Sequence, residues 1–313
     1  MTQGPVESAS GAFAVRVDSP TEGRNPRTLD IDRLPTLEIL RLINAEDAQV
    51  APAVAGALPE LARVVDLAVG ALRRGGRVHY FGAGTSGRIG VLDAVELWPT
   101  FQLEPNRVIA HHAGGVGALY QAVEGVEDDP ELGARDAAGV AAGDVAIGLT
   151  ASGRTPYVAG ALRVARERGA ATVLVSANPR APIAQQVDVC VAADTGPEVI
   201  AGSTRMKAGT AQKLILNAFS TAVMIRLGRT YSNLMVDLKA TNTKLRGRLV
   251  TILVEATGAE EAACRRVLAQ AGGDLKVALV SLLAGVPPDR AEVALAAADG
   301  VVRQALVEAS RNG

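Results

Sequence analysis

FGAGTSGRIG, from Phe81 to Gly90, is the stretch whose reading decides the fold. It holds four glycines, two hydroxyl residues and one arginine in ten positions. Ahead of it, Val78, Tyr80 and Phe81 have the character of a buried strand. Behind it, Ile89, Val91 and Leu92 open an apolar helix. Strand, glycine-rich loop and helix together make the geometry of an anion cradle. The glycines let the backbone approach closely, and the free N–H groups and dipole of the helix start face the ligand. Thr85 and Ser86 add hydroxyl donors and Arg88 a cation. Gly82, Gly84 and Gly87 keep a G-x-G-x-x-G spacing, yet no acidic residue ends the next strand and no Gly-Lys-Ser/Thr follows. Neither a dinucleotide fingerprint nor a Walker loop is complete.

Outward from this loop, strands and helices alternate. RVHYF, RVIAHHAG, DVAIGLTA, ATVLVSAN and VDVCVAA read as strands. RIGVLDAVEL, GALYQAVEGV, PYVAGALRVARERG and MKAGTAQKLILNAFSTAVMIRLG read as helices. That alternation predicts an α/β fold with a doubly wound parallel sheet flanked by helices. Upstream, TLEILRLINAED sets Leu37, Ile39, Leu40, Leu42 and Ile43 on a broad apolar helical face, and VAGALPELARVVDLAVGALRRGG continues as helix to Gly75-Gly76. From about residue 250 strand signals cease, and breaks at Gly272-Gly273 and Pro287-Pro288 divide a small helical subdomain of three or four helices. The expected organisation is a disordered arm over 1–20, rich in Gly, Ser and Pro, an α/β domain over 21–249, and a helical subdomain over 250–313.

Composition narrows the function. The 313 residues are 48% hydrophobic but only 3% aromatic, which suits small aliphatic packing and argues against base-stacking platforms for nucleic acid. The formal charge of −1 gives no field to draw in DNA or an anionic membrane. No basic and apolar leader opens the chain, and no run is apolar enough for a membrane span. Two distant cysteines, Cys190 and Cys264, fit a reduced, cytoplasmic protein. His79, His111 and His112 form no metal-ligand spacing with them, so no metal is expected.

A second loop resembles the first. LTASGRTPYV also follows a strand and places Ser152, Arg154 and Thr155 ahead of Pro156, a residue favoured at the first helical position. One such loop is as well explained by simple helix capping. Two on successive strand ends would both open at the carboxyl edge of the sheet, where ligands of open α/β sheets bind. A third stretch, TGPEVIAGSTRMKAGTAQK, sets Glu198, Ser203, Thr204, Arg205 and Lys207 before a long helix. Arg205 could equally make a surface ion pair of little consequence. A small ligand carrying phosphate and several hydroxyls fits the three stretches together.

These stretches resemble the sugar isomerase (SIS) superfamily, whose members bind phosphosugars. FGAGTSGRIGVLDAVELWPTF, AVEGVED, TASGRTPYV, GPEVIAGSTRMKAGTAQKLILNAFSTAVM and NLMVDLKATNTKL more closely resemble the N-acetylmuramic acid 6-phosphate etherases. TEGRNPRTLDIDRLPTLEILRLINAED is similar to that family as well, so the likeness runs from about Thr21 to Leu245. Glucokinase regulatory protein is a more distant relative. The resemblance implies a cytoplasmic lyase that releases D-lactate from C3 of a phosphorylated amino sugar, works as a homodimer and uses no cofactor. It also implies two catalytic glutamates: Glu96 in DAVEL as the acid for the leaving lactate, and Glu127 in EGVED as the base at C2. Two carboxyls in different environments suit that work.

On the residues alone, Glu96 reads as a solvated helix-end charge, and Glu127 as one carboxylate of the acidic run EGVEDDPE, with Glu124 beside it. Val95 and Trp98 stand where the family commonly has a small residue and a proline, and AHHAGG replaces a more apolar strand. Two other functions remain open on this fold. One is an aldose–ketose isomerase, for which Glu198 resembles the catalytic position. The other is a phosphosugar-sensing regulator, although no basic recognition helix is present.

Overall fold

The computed structural model describes residues 19–238 and 243–311. The arm expected over 1–20 therefore lies outside the described residues as far as residue 18, as do residues 239–242 of NLMVDLKATNTKL. In chain order the elements are α1 (Thr36–Asp47), α2 (Val50–Ala55), α3 (Leu58–Arg73), β1 (Val78–Gly82), α4 (Gly84–Phe101), β2 (Val108–His112) and α5 (Gly117–Tyr120). They continue with α6 (Pro130–Asp136), β3 (Val145–Leu149), α7 (Pro156–Glu167), β4 (Ala171–Ser176), β5 (Val189–Ala192) and α8 (Lys207–Arg226). A short hairpin, β6 (Thr230–Tyr231) and β7 (Leu234–Met235), leads to α9 (Thr243–Thr257), α10 (Glu261–Gln270), α11 (Leu275–Ala284), α12 (Pro288–Ala297) and α13 (Val302–Arg311).

The five long strands form one parallel sheet in the order β2-β1-β3-β4-β5. β1 and β3 are buried at every position, which is why they lack an alternating pattern; the imidazole among them, His79 of β1, meets buried Asp144 (Nε2–Oδ2 3.3 Å). On one face, Tyr80, Ile147 and Val175 pack with Val64 and Leu72 of α3, Leu97 of α4 and Ile215 of α8. On the other, Phe81, Ala146 and Leu174 pack with Tyr157, Ala161 and Ala165 of α7. A separate core from Val236 to Ala309 holds the last five helices together. The strand order turns back between β1 and β3, so a crevice opens beyond their carboxyl ends, the switch point at which open α/β sheets bind ligands.

The structure departs from the sequence reading in several places. VAGALPELARVVDLAVGALRRGG is two helices, α2 and α3, with Pro59 in the first turn of α3, where its missing N–H costs nothing. The C-terminal region has five helices rather than three or four, and α9 begins ahead of residue 250. GALYQAVEGV is helical only over Gly117–Tyr120. Its shortening has a cause: Arg88 donates from Nη2 to the Ala118 carbonyl (2.7 Å) and from Nε to the Leu119 carbonyl (2.9 Å). Those are the acceptors that the N–H groups of Ala122 and Val123 would need to continue the helix.

The segment ahead of α1 is tied to the start of α8. Gly202 N–H donates to the Thr21 carbonyl (3.1 Å), and the Thr28 hydroxyl donates to the Val199 carbonyl (2.8 Å). Glu46, at the end of α1, is buried and receives Arg27 and the fully buried Lys207 (Nζ–Oε2 2.8 Å). The Arg27 hydrogen bond, with Lys207 behind it, pulls the Glu46 carboxyl down to about 2 against the cost of burial. The apolar face of α1 is left uncovered, with Leu37 and Leu40 each 57% exposed. Among the described residues no helix is long and apolar enough to cross a membrane.

Candidate active site

Beyond the carboxyl ends of β1 and β3 lies a cavity of about 400 Å³. It brings together Thr85, Ser86 and Arg88 of α4, Ser152 and Thr155 ahead of α7, and Glu127 from the loop that follows β2. A larger cavity, about 960 Å³, lies between the end of α4 and the C-terminal helices and is lined by Trp98, Arg229, Leu249 and Leu268 among others. None of the hydroxyl-bearing loops reaches it. Chemistry rather than size selects the smaller cavity, because it collects convergent polar groups at the switch point.

The first loop is shorter than its glycines imply. Helix α4 begins at Gly84, so Thr85, Ser86 and Gly87 are its first turn. Ala83 caps this start without a side-chain hydrogen bond, leaving N–H groups open to the cavity. The turn presses so closely on β1 that a Cβ at Gly87 would sit 2.5 Å from the Gly82 carbonyl oxygen and 2.6 Å from the His112 ring. Only glycine permits that approach. Thr85 and Ser86 have no side-chain partner among the described residues, so both hydroxyls can serve a ligand. Below them, buried Asp93 accepts from Tyr80 (2.9 Å) and Ser220 (2.8 Å), tying α4 to β1 and α8. Burial pushes the Asp93 carboxyl up to about 6.

The second loop turns at Gly153, whose φ of +72° and closeness to Ala181, 2.2 Å from where a Cβ would stand, exclude any side chain. Thr150 Oγ1 accepts the Gly153 N–H (3.3 Å) and lies 2.7 Å from Thr155 Oγ1. When Thr150 donates to Thr155, the Thr155 proton is left to point at a ligand. The start of α7, like that of α4, has no side-chain cap. Arg154 is exposed beside this loop and does not line the cavity.

The third stretch behaves differently. Glu198 is fully buried, and its two oxygens accept the N–H groups of Lys207 (2.9 Å) and Ala208 (3.0 Å) at the start of α8. Burial raises its carboxyl against the pull of those two donors. Ser203 is half-buried and Arg205 exposed, and neither lines the cavity, whereas Thr204 does.

The two glutamates are separated. Glu127 lines the cavity together with Glu124, and neither carboxylate has a side-chain partner among the described residues. Glu96 is exposed on α4, three turns and about 16 Å along the helix from Thr85, and lines neither cavity. Around it on the outer face of α4, Leu92, Val95 and Trp98 are 52%, 63% and 51% exposed.

Glu22, Thr150 and His112 also line the cavity, and the sequence reading assigned none of the three to a ligand. Glu22 arrives from the N-terminal segment, and its only signal is membership of the stretch TEGRNPRTLD. His112 forms part of the floor, with Nδ1 2.8 Å from the Ala113 carbonyl oxygen and Nε2 3.2 Å from that of Gly84. Its neighbour His111 faces the other layer, stacked on Phe81 at 4.5 Å and 3.1 Å from His79 Nδ1. Burial and the nearby His79 push the His111 ring down to about 4.

Residues 60–166 match the glucokinase regulatory protein N-terminal SIS domain, and residues 120–222 match the SIS domain. The N-acetylmuramic acid 6-phosphate etherase of Thermobifida fusca is 67% identical over 267 residues, 85% of this chain and 88% of that protein. The enzyme of the same name from Pectobacterium atrosepticum is 52% identical over 92% of this chain and 95% of its own. That from Symbiobacterium thermophilum is 55% identical over 85% of this chain and 89% of its own. With a five-stranded parallel sheet, hydroxyl-lined loops at its switch point and identity of this extent, the chain belongs to the N-acetylmuramic acid 6-phosphate etherases, a family of SIS-fold enzymes.

Proposed function

We propose that the protein cleaves the ether at C3 of N-acetylmuramic acid 6-phosphate, giving N-acetylglucosamine 6-phosphate and D-lactate. The observation that carries this reading is the cavity itself: two helix starts without side-chain caps, each with hydroxyls beside it, line it together with a glutamate that has no side-chain partner. The helix starts suit a phosphate. Opening the sugar ring exposes an aldehyde that acidifies the C2 proton. Glu127 takes that proton, and the electron pair forms the C2–C3 double bond as the C3–oxygen bond breaks. Glu96 gives its proton to the departing lactate oxygen, and water then adds hydroxyl to C3 and a proton to C2.

Because Glu96 lies far from its own cavity, a second copy of the chain completes the site in this reading. The exposed Leu92, Val95 and Trp98 around Glu96, and Leu37 and Leu40 on α1, support a homodimer. Mixing inactive Glu96→Gln with inactive Glu127→Gln tests it. If each site draws one glutamate from each copy, mixed dimers hold one intact site, and random mixing recovers about a quarter of full activity. No recovery means that one chain supplies both.

The reaction itself is tested by incubating the protein with N-acetylmuramic acid 6-phosphate and assaying D-lactate. A ketose phosphate in its place means an isomerase, and binding without turnover means a regulator. The isomerase reading is the weaker, since Glu198 is buried on the start of α8. The reduced thiols of Cys190 and Cys264 fit a cytoplasmic setting, where a phosphorylated cell-wall sugar would be recycled or consumed.

A further inference from the structure

Glu22 is held in the cavity wall by backbone that has little freedom. Its N–H donates to the Ser19 carbonyl (3.0 Å), and its neighbour Thr21 is fully buried, with Oγ1 3.0 Å from Ser19 Oγ. Thr21 in turn accepts the Gly202 N–H. The Glu22 carboxylate lies against Gly202, where φ is +75° and a Cβ would stand 3.0 Å from Oε2. Any side chain at that position would crowd it. Glu22 is exposed at the cavity, and its carboxylate has no hydrogen-bond or ion-pair partner among the described residues, so it is open to a ligand there.

The walls of the cavity come from different layers. Glu22 and Thr204 stand on the α8 side, through the contact of their segment with Gly202. Glu127 stands on the α7 side, where its neighbour Val126 joins the core around Tyr157. A sugar lying across the ends of β1 and β3 therefore shows one flank to Glu127 and the other to Glu22. An ionised carboxylate only accepts hydrogen bonds. It repels a phosphate or a lactyl carboxylate, so it must meet a neutral donor. When the C2 hydrogen points at Glu127, the other three bonds of C2 lean away from that wall, and of the groups they carry the acetamido nitrogen is the neutral donor.

We propose that Glu22 is a specificity-determining residue that accepts the amide N–H of a 2-acetamido sugar phosphate. The inference rests on the reading of Glu127 as the base at C2. It makes Glu22 the group that distinguishes N-acetylated amino sugars from phosphosugars without a donor on C2, and that excludes binding with the anionic ends reversed.

Titration calorimetry with N-acetylglucosamine 6-phosphate, 2-deoxyglucose 6-phosphate and inorganic phosphate tests this on wild type, Glu22→Gln and Glu22→Ala. Wild type should prefer the acetamido sugar. Glu22→Ala should weaken that sugar about 10- to 100-fold, the usual effect of losing a hydrogen bond to a charged group. It should leave 2-deoxyglucose 6-phosphate and inorganic phosphate within about threefold, and Glu22→Gln should fall between. Unchanged affinity for the acetamido sugar, or equal losses for both sugars, overturns the proposal. Retained phosphate binding reports an intact cradle, so misfolding is separated from lost recognition. Wild type that releases no D-lactate but keeps the Glu22-dependent preference sinks the lyase reading and leaves this one standing. Release of D-lactate without that preference does the reverse.

Discussion

Helices α4 and α7 begin at a cavity without side-chain caps and with hydroxyls beside them, whereas α8 begins with its N–H groups bound by Glu198 and its first side chain, Lys207, buried against Glu46. All three starts look alike in sequence: polar residues ahead of a long apolar helix. The difference lies in where the orphan N–H groups of a helix start find their acceptors. At α4 and α7 no side chain caps them. At α8 the protein supplies its own carboxylate, and the start becomes a structural anchor for the N-terminal segment. A polar helix start is therefore a binding site only when nothing within the chain already satisfies it.

The largest effect expected at the open side is on chemistry. Glu127→Gln should lower D-lactate release by about 10²–10⁴ and abolish exchange of the substrate C2 hydrogen with deuterated solvent. Glu96→Gln should lower release comparably and keep the exchange, because the carbanion can be reprotonated without loss of lactate. Proton NMR of C2 reads both. Exchange that survives in Glu127→Gln and vanishes in Glu96→Gln reverses the two roles.

At the closed side the expected effect is on folding. Glu46→Gln leaves the buried Lys207 ammonium without its charge partner, which costs about 3–5 kcal/mol in a urea melt. Since the Glu46 carboxyl is held down to about 2, its stabilisation is complete above the ordinary glutamate range and lost as the pH falls toward 2. The variant should flatten that acid limb of the stability profile. A large loss of phosphate affinity with no change in the melt would make the start of α8 a ligand site after all.

Smaller, and back on the open side, Ser86→Ala and Ser152→Ala should each raise KM roughly ten- to a hundredfold, the equivalent of about 1.5–3 kcal/mol for a hydrogen bond to a charged group. Wild-type KM with a depressed kcat would remove the phosphate from these loops. The smallest effect is reserved for Glu198→Gln, which keeps one acceptor of two. It should cost about 1–2 kcal/mol of stability and leave KM alone. A selective loss of turnover at unchanged stability would restore Glu198 to the site.

Much of this was legible in the sequence. Strands buried on both faces show no alternation of apolar and charged residues, and the glycines at 82 and 87 mark a place where a helix presses on a strand. The hydroxyls of Thr85, Ser86, Ser152 and Thr155 were found because they sit beside such marks. Glu198, Ser203 and Arg205 show the limit. Residue type announces a polar helix start, but only the fold says whether the carboxylate turns outward or back onto its own helix. Glu22 carries no periodicity and no neighbouring glycine loop, and reaches the cavity by a contact 180 residues away, at Gly202. The early end of α5 was hidden for a similar reason, since the arginine that interrupts it lies in another element.

That arginine also bears on how the site can drift over generations. Arg88 clasps the Ala118 and Leu119 carbonyls, so the arm from there to Glu127 starts from the same helix whose first turn lines the cavity. The first turn of α4 and Glu127 are thus joined by a short arm, pinned by Arg88 at one end and by Val126 in the core around Tyr157 at the other. A residue inserted or deleted between those two anchors would strain the approach to Glu127 while leaving the first turn of α4 untouched. Among descendants of this chain, those that altered the arm would keep a taste for phosphosugars after losing the reaction, which is a short route from an enzyme to a sensor.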